Sequence, residues 1–343
     1  MGADPDRQPD RRPDRREARL LVSSAGRRVH LIECFRADAA RLGVALEVNA
    51  VDSEPALSAA CRLADRACPV PRCTDPGFVD RLLEICRRHR VDLLVPTIDP
   101  ELEVLSRAAP VFAAEAGTRV AVSSPEVVAL ARDKLRTAEH LAAHGLPAPW
   151  TVDGARFGPG RPPPEPFRPL ILKPRGGSSS HGILRVERPE DWPRDGVPPG
   201  CIVQELLEGE EYTVNLFFDA AGRLRAAVPH RRIAVRGGEV AKGVTSRQPR
   251  LMELAATLGA SLPAGAARGA LCFQAIVRPA SGAAAIFELN ARFGGGFPLA
   301  HRAGARFSQW LLEETLGLPA TAAGDWRDGV LMLRYDAAVF IEG

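Results

Sequence analysis

Residues 284–298, AAIFELNARFGGGFP, constrain this chain more than any other stretch. As a strand, the run sends Phe287, Leu289, Ala291 and Phe293 to one face and Glu288, Asn290 and Arg292 to the other. A glycine triplet, Gly294–Gly296, follows at once. Burying a carboxylate, an amide and a guanidinium without partners costs about several kcal/mol. The row therefore fits either a half-exposed strand facing water or the wall of a site holding cations and phosphates. The rest of the chain decides between the two.

The 343 residues can form a sizeable core and two or three subdomains. A net charge of +3 is too small a basic excess to argue for nucleic acid, and no nucleic-acid partner is expected. The seven cysteines form no CxxC and no cluster with His, so reduced thiols are expected rather than disulfides or zinc ligands. No apolar run reaches the roughly 18 residues of a membrane span, and the charged N-terminus lacks a signal-peptide core. The expectation is a soluble, cytoplasmic protein without a membrane partner. Lysine occurs only at Lys134, Lys173 and Lys242, while arginine supplies nearly every other cation. A compact ammonium is not always replaceable by a planar guanidinium, so these three positions draw attention, chance retention being the alternative.

Residues 1–19 are dense in Asp, Arg and Pro and read as a disordered tail. Strand 20–23, helix 29–42, strand 44–51 ending at Asp52, helix 78–89 and strands 91–95 and 119–122 then alternate. That order indicates a parallel α/β layer. The first strand–helix turn has only Gly26, so the GxGxxG of a dinucleotide site is missing. Arg27 and Arg28 beside it either meet an anion at the helix N-terminus or are solvated. Ser124-Pro125-Glu126 starts one helix and Asp133 caps another. Lys134 sits in that second helix's first turn, the poor end of the dipole for a cation unless an anion is near.

A proline-rich loop, 154–169, precedes an apolar strand that ends in Lys173 and empties into RGGSSSHG. Glycines that let backbone N–H groups converge, with serines and a lysine, suit phosphates, although many such loops are plain turns. Strands follow at 201–206, from 211, at 224–228 and at 231–235, then a helix at 251–258 and a strand at 270–277. The last turns through residues 279–282 into the opening stretch. A hairpin centred near Ser281 sets Gln274 opposite Glu288. Four convergent polar groups argue against a strand that merely faces water.

In their order these motifs resemble the ATP-grasp superfamily, in the branch of the carbamoyl-phosphate synthase large subunit and the ATP-grasp amino-acid ligases. The resemblance runs over residues 20–318 and rests on Asp133-Lys134, ILKPRGGSSSHG, VQELLEGEEYTV, Gln274 and FELNARFGGG. It implies an α/β protein with an ATP-grasp fold behind an N-terminal Rossmann-like pre-ATP-grasp domain. The expected segments are a tail at 1–19, the pre-ATP-grasp domain at 20–123 and a small lobe with the phosphate loop at 124–205. A large lobe with the metal and substrate site follows at 206–320, and a C-terminal strand at 321–343.

The resemblance further implies that Lys134 and Lys173 grip the nucleotide's phosphates under a loop containing Gly176, Gly177 and Ser178. Glu205 and Leu207 lie at the hinge that meets adenine, and Glu211 meets the ribose. Gln274, Glu288 and Asn290 take the metal positions, with ATP and Mg2+ as cofactors and Mn2+ as an alternative. Gln274 replaces the acid of many ATP-grasp ligases, as in the synthase-like branch. Arg292 faces the transferred phosphoryl group, and Lys242 is placed with it as a catalytic cation. His181, Lys242 and Arg247 are read as phosphate or substrate contacts, with solvated loop positions as the equal alternative. The glycine triplet is expected to let a small carboxylate approach, and Arg334 is read as structural. The implied activity joins a small carboxylate, an amino acid among the candidates, to an amine through an acyl phosphate. The alternatives are an enzyme that releases the acyl phosphate and a nucleotide-binding module without turnover. A homodimer stays open.

Overall fold

The structure, a computed structural model, describes residues 17–177 and 182–341. In the first part β1 (Glu17–Ser23), α1 (Val29–Leu42), β2 (Ala45–Asp52), α2 (Ala59–Leu63), β3 (Arg66–Pro69), α3 (Phe78–His89), β4 (Leu93–Pro96), α4 (Asp99–Ala116) and β5 (Arg119–Val120) alternate. The strands form a parallel sheet in the order β3-β2-β1-β4-β5. Leu20, Leu21 and Val22 are all fully buried, as a central parallel strand covered on both faces requires. Strand order reverses between β1 and β4. The loops leaving those two strands therefore open side by side, the place where such sheets receive ligands.

Two expectations change here. Residues 17–19 belong to β1 rather than to a tail, because β1 pairs with β2 from Glu17 onward. The Arg19 N–H also donates to the Asp92 carboxylate at 2.8 Å. Composition registers the charges of such a segment and not the strand beside it. Helix α4 is an addition to the expected elements, since Pro100 and Pro110 disguise its periodicity.

α5 (Pro125–Arg132) and α6 (Lys134–Ala143) lead to β6 (Thr151–Asp153), β7 (Leu170–Pro174), β8 (Leu184–Val186) and β9 (Cys201–Glu205). These four strands form an antiparallel sheet in the order β6-β9-β7-β8. Its core is separate, built from Leu170, Leu172, Val186, Trp192 and Val203.

The remaining elements are β10 (Glu210–Phe218), β11 (Leu224–Arg236), β12 (Glu239–Thr245), α7 (Pro249–Ser261), β13 (Gly269–Val277), β14 (Ala284–Asn290), α8 (Phe297–Ala303), α9 (Phe307–Leu316) and β15 (Leu331–Leu333). Their strands form a six-stranded sheet, β14-β13-β10-β11-β12-β15. Helices α5 and α6 pack on β14, and Val127, Val128 and Leu141 share a core with Phe273 and Leu289. Residues 124–143 thus bridge the two sheets, since α6 also packs on β6 and Asp133 holds Arg175. The two expected strands at 224–228 and 231–235 are the single strand β11. It tolerates Pro229 at the end of its pairing with β12, where the Ser246 N–H still donates to the Pro229 carbonyl and only the reciprocal bond is missing. No helix among the described residues is long and apolar enough to cross a membrane.

The β13–β14 hairpin has the expected register, with Gln274 opposite Glu288. A shift immediately beyond it pairs Ala275 with Ile286 and leaves Phe287 over. Ile286 and Leu289 are buried, whereas Phe287 lines the cleft beside Glu288 instead of facing the core.

Candidate active site

The two antiparallel sheets enclose a cleft of about 430 Å³. Lys173, at the end of β7, is buried there to 5 % exposure, with its ammonium 5.3 Å from the Phe287 ring centroid. Burial pulls this ammonium down to about 8, Glu288 holds it up and Lys134 adds to the fall. Lys134 opens α6, where Asp133 caps the helix by accepting from the Leu135 and Arg136 N–H groups. Asp133 also takes a forked bond from Arg175, at 3.2 and 2.6 Å, which fastens the start of the phosphate loop to the helix. The Lys134 ammonium donates to the Gly177 carbonyl at 2.8 Å. Gly176 and Gly177 line the cleft, while Ser178 and His181 lie outside the described residues.

At the hinge, the Glu205 N–H donates to Trp150 and the Leu206 N–H to Pro169. No hydrogen bond among the described residues engages the Leu207 backbone, which also lines the cleft. Glu211, at the start of β10, is raised by burial, with Arg232 opposing and Glu288 adding to the rise.

Arg232 on β11 was not singled out by sequence. Its side chain is 5 % exposed and donates to Glu211 at 2.6 Å and to the Gly238 carbonyl at 2.8 Å, while its Nε has no partner. Lys242, expected to be the catalytic cation, is exposed on β12 and lines neither this cleft nor the cavity behind it. The β11–β12 pair shifts register on either side of Ala234, which sits opposite Lys242. Arg247 is also away from the site: it lies over Trp326 at 4.3 Å and donates to that residue's carbonyl.

Behind the cleft lies a second cavity of about 190 Å³, which shares Arg232, Gly238, Gln274 and Glu288 with it. Its other walls are the switch-point loops, through Arg27, Arg28 and Asp99, together with Asn290, Arg292, Glu239 and the glycine triplet. Glu101 is fully buried and ties those loops together, accepting from the Ser23 and Ser24 hydroxyls and the Thr97 and Ile98 N–H groups. Arg292, which lines the cavity, is paired with Asp99. Its Nε and Nη2 donate to Asp99 at 2.9 and 2.6 Å. Burial works against its charge, and Asp99 more than offsets this. Glu239 accepts from Arg28 at 2.9 Å and from Arg334 at 2.8 Å, and Arg334 also donates to the Gly295 carbonyl. Arg334 thus braces Glu239 and the glycine triplet without lining the cavity itself.

The glycines line the inner cavity and are also hemmed in from behind. A Cβ on Gly294 would lie 3.1 Å from the Cys272 thiol, and one on Gly295 3.0 Å from the Glu239 carboxyl carbon. On Gly296 it would lie 2.4 Å from His230 Nε2. The triplet packs flat on side chains of the large sheet.

The donor set suits a hard divalent cation. Glu288 is a carboxylate opposite an amide, and Gln274 and Asn290 add neutral oxygens. In this conformation the Asn290 amide N–H donates to Glu288 at 3.2 Å, so ligation by its oxygen requires the amide to turn. No group of three or more His, Cys, Asp or Glu among the described residues forms an alternative metal site.

Residues 20–121 match the family model of the PylC-like N-terminal domain. Residues 198–337 match that of ATP-grasp in the biosynthetic pathway with Ter operon. No curated protein matches the chain in sequence. Among solved structures, the L-amino acid ligase from Bacillus licheniformis is similar with a TM-score of 0.66 at 19 % identity, covering 91 % of this chain and 77 % of its own. The biotin carboxylase domain of Hydrogenobacter thermophilus 2-oxoglutarate carboxylase, in complex with MgADP and bicarbonate, has a TM-score of 0.67 at 16 % identity. That match covers 90 % of this chain and 72 % of the other. The N5-carboxyaminoimidazole synthetase of Staphylococcus aureus, complexed with ADP, gives 0.65 at 12 % identity and covers 90 % and 80 %. With its parallel first domain, its two antiparallel sheets closing on a cleft and these two family matches, the chain carries an ATP-grasp fold behind a PylC-like N-terminal domain.

Proposed function

We propose that this chain is an ATP- and magnesium-dependent ligase that joins a small carboxylate to an amine. The observation that carries the reading is the position of Glu288. Opposite Gln274 in the ladder, it stands on the wall shared by a cleft of about 430 Å³ and an arginine-lined cavity of about 190 Å³. A nucleotide in the first and an acid in the second meet at that wall.

The residues suit this division. Leu207 offers an unpaired backbone to adenine, Glu211 a carboxylate to the ribose, and Lys134 and Lys173 charge to the phosphates. Magnesium, held by Glu288 with the oxygens of Gln274 and Asn290, supplies neutralisation of the triphosphate. The substrate carboxylate attacks the γ-phosphorus as the bond to ADP breaks. The amine then attacks the acyl carbon, gives up a proton and displaces phosphate. Arg232 at the shared wall and Arg292 in the inner cavity neutralise charge, and preorganised positive groups of this kind are the main catalytic need of phosphoryl transfer. No protein nucleophile takes part. The seven cysteines are all free, in keeping with a reducing, cytoplasmic setting.

The test is ADP release from ATP and magnesium over a panel of amino acids and other small acids, each with and without an amine acceptor. The expected result is acid-dependent ADP and an amide by mass spectrometry. A phosphorylated acid as the final product, or tight ATP binding with no ADP for any acid, would overturn the ligase reading.

A further inference from the structure

We infer that the inner cavity holds an anchor for a second anionic group, so that the preferred acid is a small one carrying two negative groups. What happens to its first carboxylate rests on the ligase reading; the anchor itself does not. The argument is one of unmatched charge. Asp99 is taken by Arg292, and Glu211 by Arg232. Glu239 serves two guanidiniums at once, those of Arg28 and Arg334. Arg27, on the same cavity wall, has no hydrogen-bond or ion-pair partner among the described residues. The buried Arg232, whose Nε is also unpartnered, borders the cavity from the opposite side. One carboxylate, Glu239, facing three guanidiniums, with Arg27 at longer range and Glu288 turned to Lys173, leaves positive charge that an incoming anion would balance.

The position agrees. Arg27 and Arg28 sit in the loop after β1, at the reversal of strand order, where a parallel sheet receives ligands. The reacting carboxylate belongs at the Glu288 wall shared with the cleft, whereas Arg27 and Arg28 line the inner cavity and not the cleft. A volume of about 190 Å³, under half that of the nucleotide cleft, suits a small molecule.

The experiment is calorimetry on the full chain with ADP and magnesium present, so that binding is read without turnover. Aspartate and glutamate are compared with asparagine and glutamine, which keep the shape and lose one charge. Phosphoserine against serine distinguishes a phosphate as the second group from a carboxylate. We expect one dianion to bind at least tenfold tighter than its neutral counterpart, and Arg27→Ala to erase that preference while ADP affinity is kept. Arg27 is exposed, so its replacement leaves the fold intact. Equal affinities within every pair, or a preference that survives Arg27→Ala, would overturn the anchor. Selective dianion binding without ADP release from ATP would support the anchor and defeat the ligase reading alone.

Discussion

Arg292 of the large sheet and Asp99 at the start of α4 form a forked ion pair, at 2.9 and 2.6 Å, that joins the two halves of the inner cavity. Both side chains are largely buried. An acid entering the cavity competes with Asp99 for the guanidinium. Asp99→Asn should therefore lower the KM for the acid several-fold while costing about 2 kcal/mol of stability. That is less than the 3–5 kcal/mol for removing a buried partner outright, since the amide still accepts. Steady-state kinetics and thermal unfolding check the two effects separately, and a raised KM would show that Asp99 helps to bind the acid.

Glu288 is the one carboxylate in its polar row. Glu288→Gln is nearly isosteric and should cut turnover by about two orders of magnitude or more, the scale of losing a main electrostatic contributor. Stabilisation of the variant by ATP should no longer grow with added magnesium. A melting-temperature titration in the metal reads this without needing the substrate. Wild-type magnesium dependence would remove Glu288 from the metal set.

Lys173 sets a pH limit. Burial lowers its ammonium from 10.5 to about 8 in the free protein. ATP affinity should be flat below pH 8 and weaken by up to about tenfold per unit above it, as the phosphates lose a charged partner. Lys173→Met should bind ATP weakly with that dependence removed. The effect on stability has the opposite sign. Between pH 8 and 10.5 the unfolded chain holds the proton that the folded one has lost, so this group's contribution to stability rises with pH in that window. Below about pH 8 the full cost of the buried charge is felt.

Beneath the glycine triplet, Asn215 donates to His230 Nδ1 at 3.1 Å, which leaves the imidazole proton on Nε2, facing Gly296. Burial pushes this imidazole down to about 3, so it stays neutral. Gly296 has φ −86°, which any residue adopts, so replacing it costs packing alone. Gly296→Ala should destabilise by about 1–3 kcal/mol through overpacking. Gly296→Ala with His230→Ala should recover part of that loss by double-mutant cycle; full additivity would mean that the two do not touch.

The polar row was legible because its chemistry is local. Alternation within 284–292 puts Glu288, Asn290 and Arg292 in one row, and the structure sets Gln274 opposite Glu288 as expected, although the ladder nearest the turn reaches that register only through the extra residue Phe287. Lys173 at a strand end and Lys134 behind an N-cap were marked by neighbours within a few positions. Phe287 was misread where the strand slips register, since one extra residue reverses every later facing and leaves no mark in composition. Lys242 was singled out by the scarcity of lysine, which says nothing of where a side chain points.

The amino-acid order by itself determined the parallel first domain, the hairpin that carries Glu288 and the lysines aimed at phosphates. Each follows from periodicity and steric rules acting over a few residues. Tertiary structure alone decided which cations face the site and which acids hold them. Asp99 meets Arg292 across 193 positions, and Arg28 meets Glu239 across 211. Any arginine can satisfy any carboxylate, so only the packing of the sheets selects the pairs and leaves Arg27 without one.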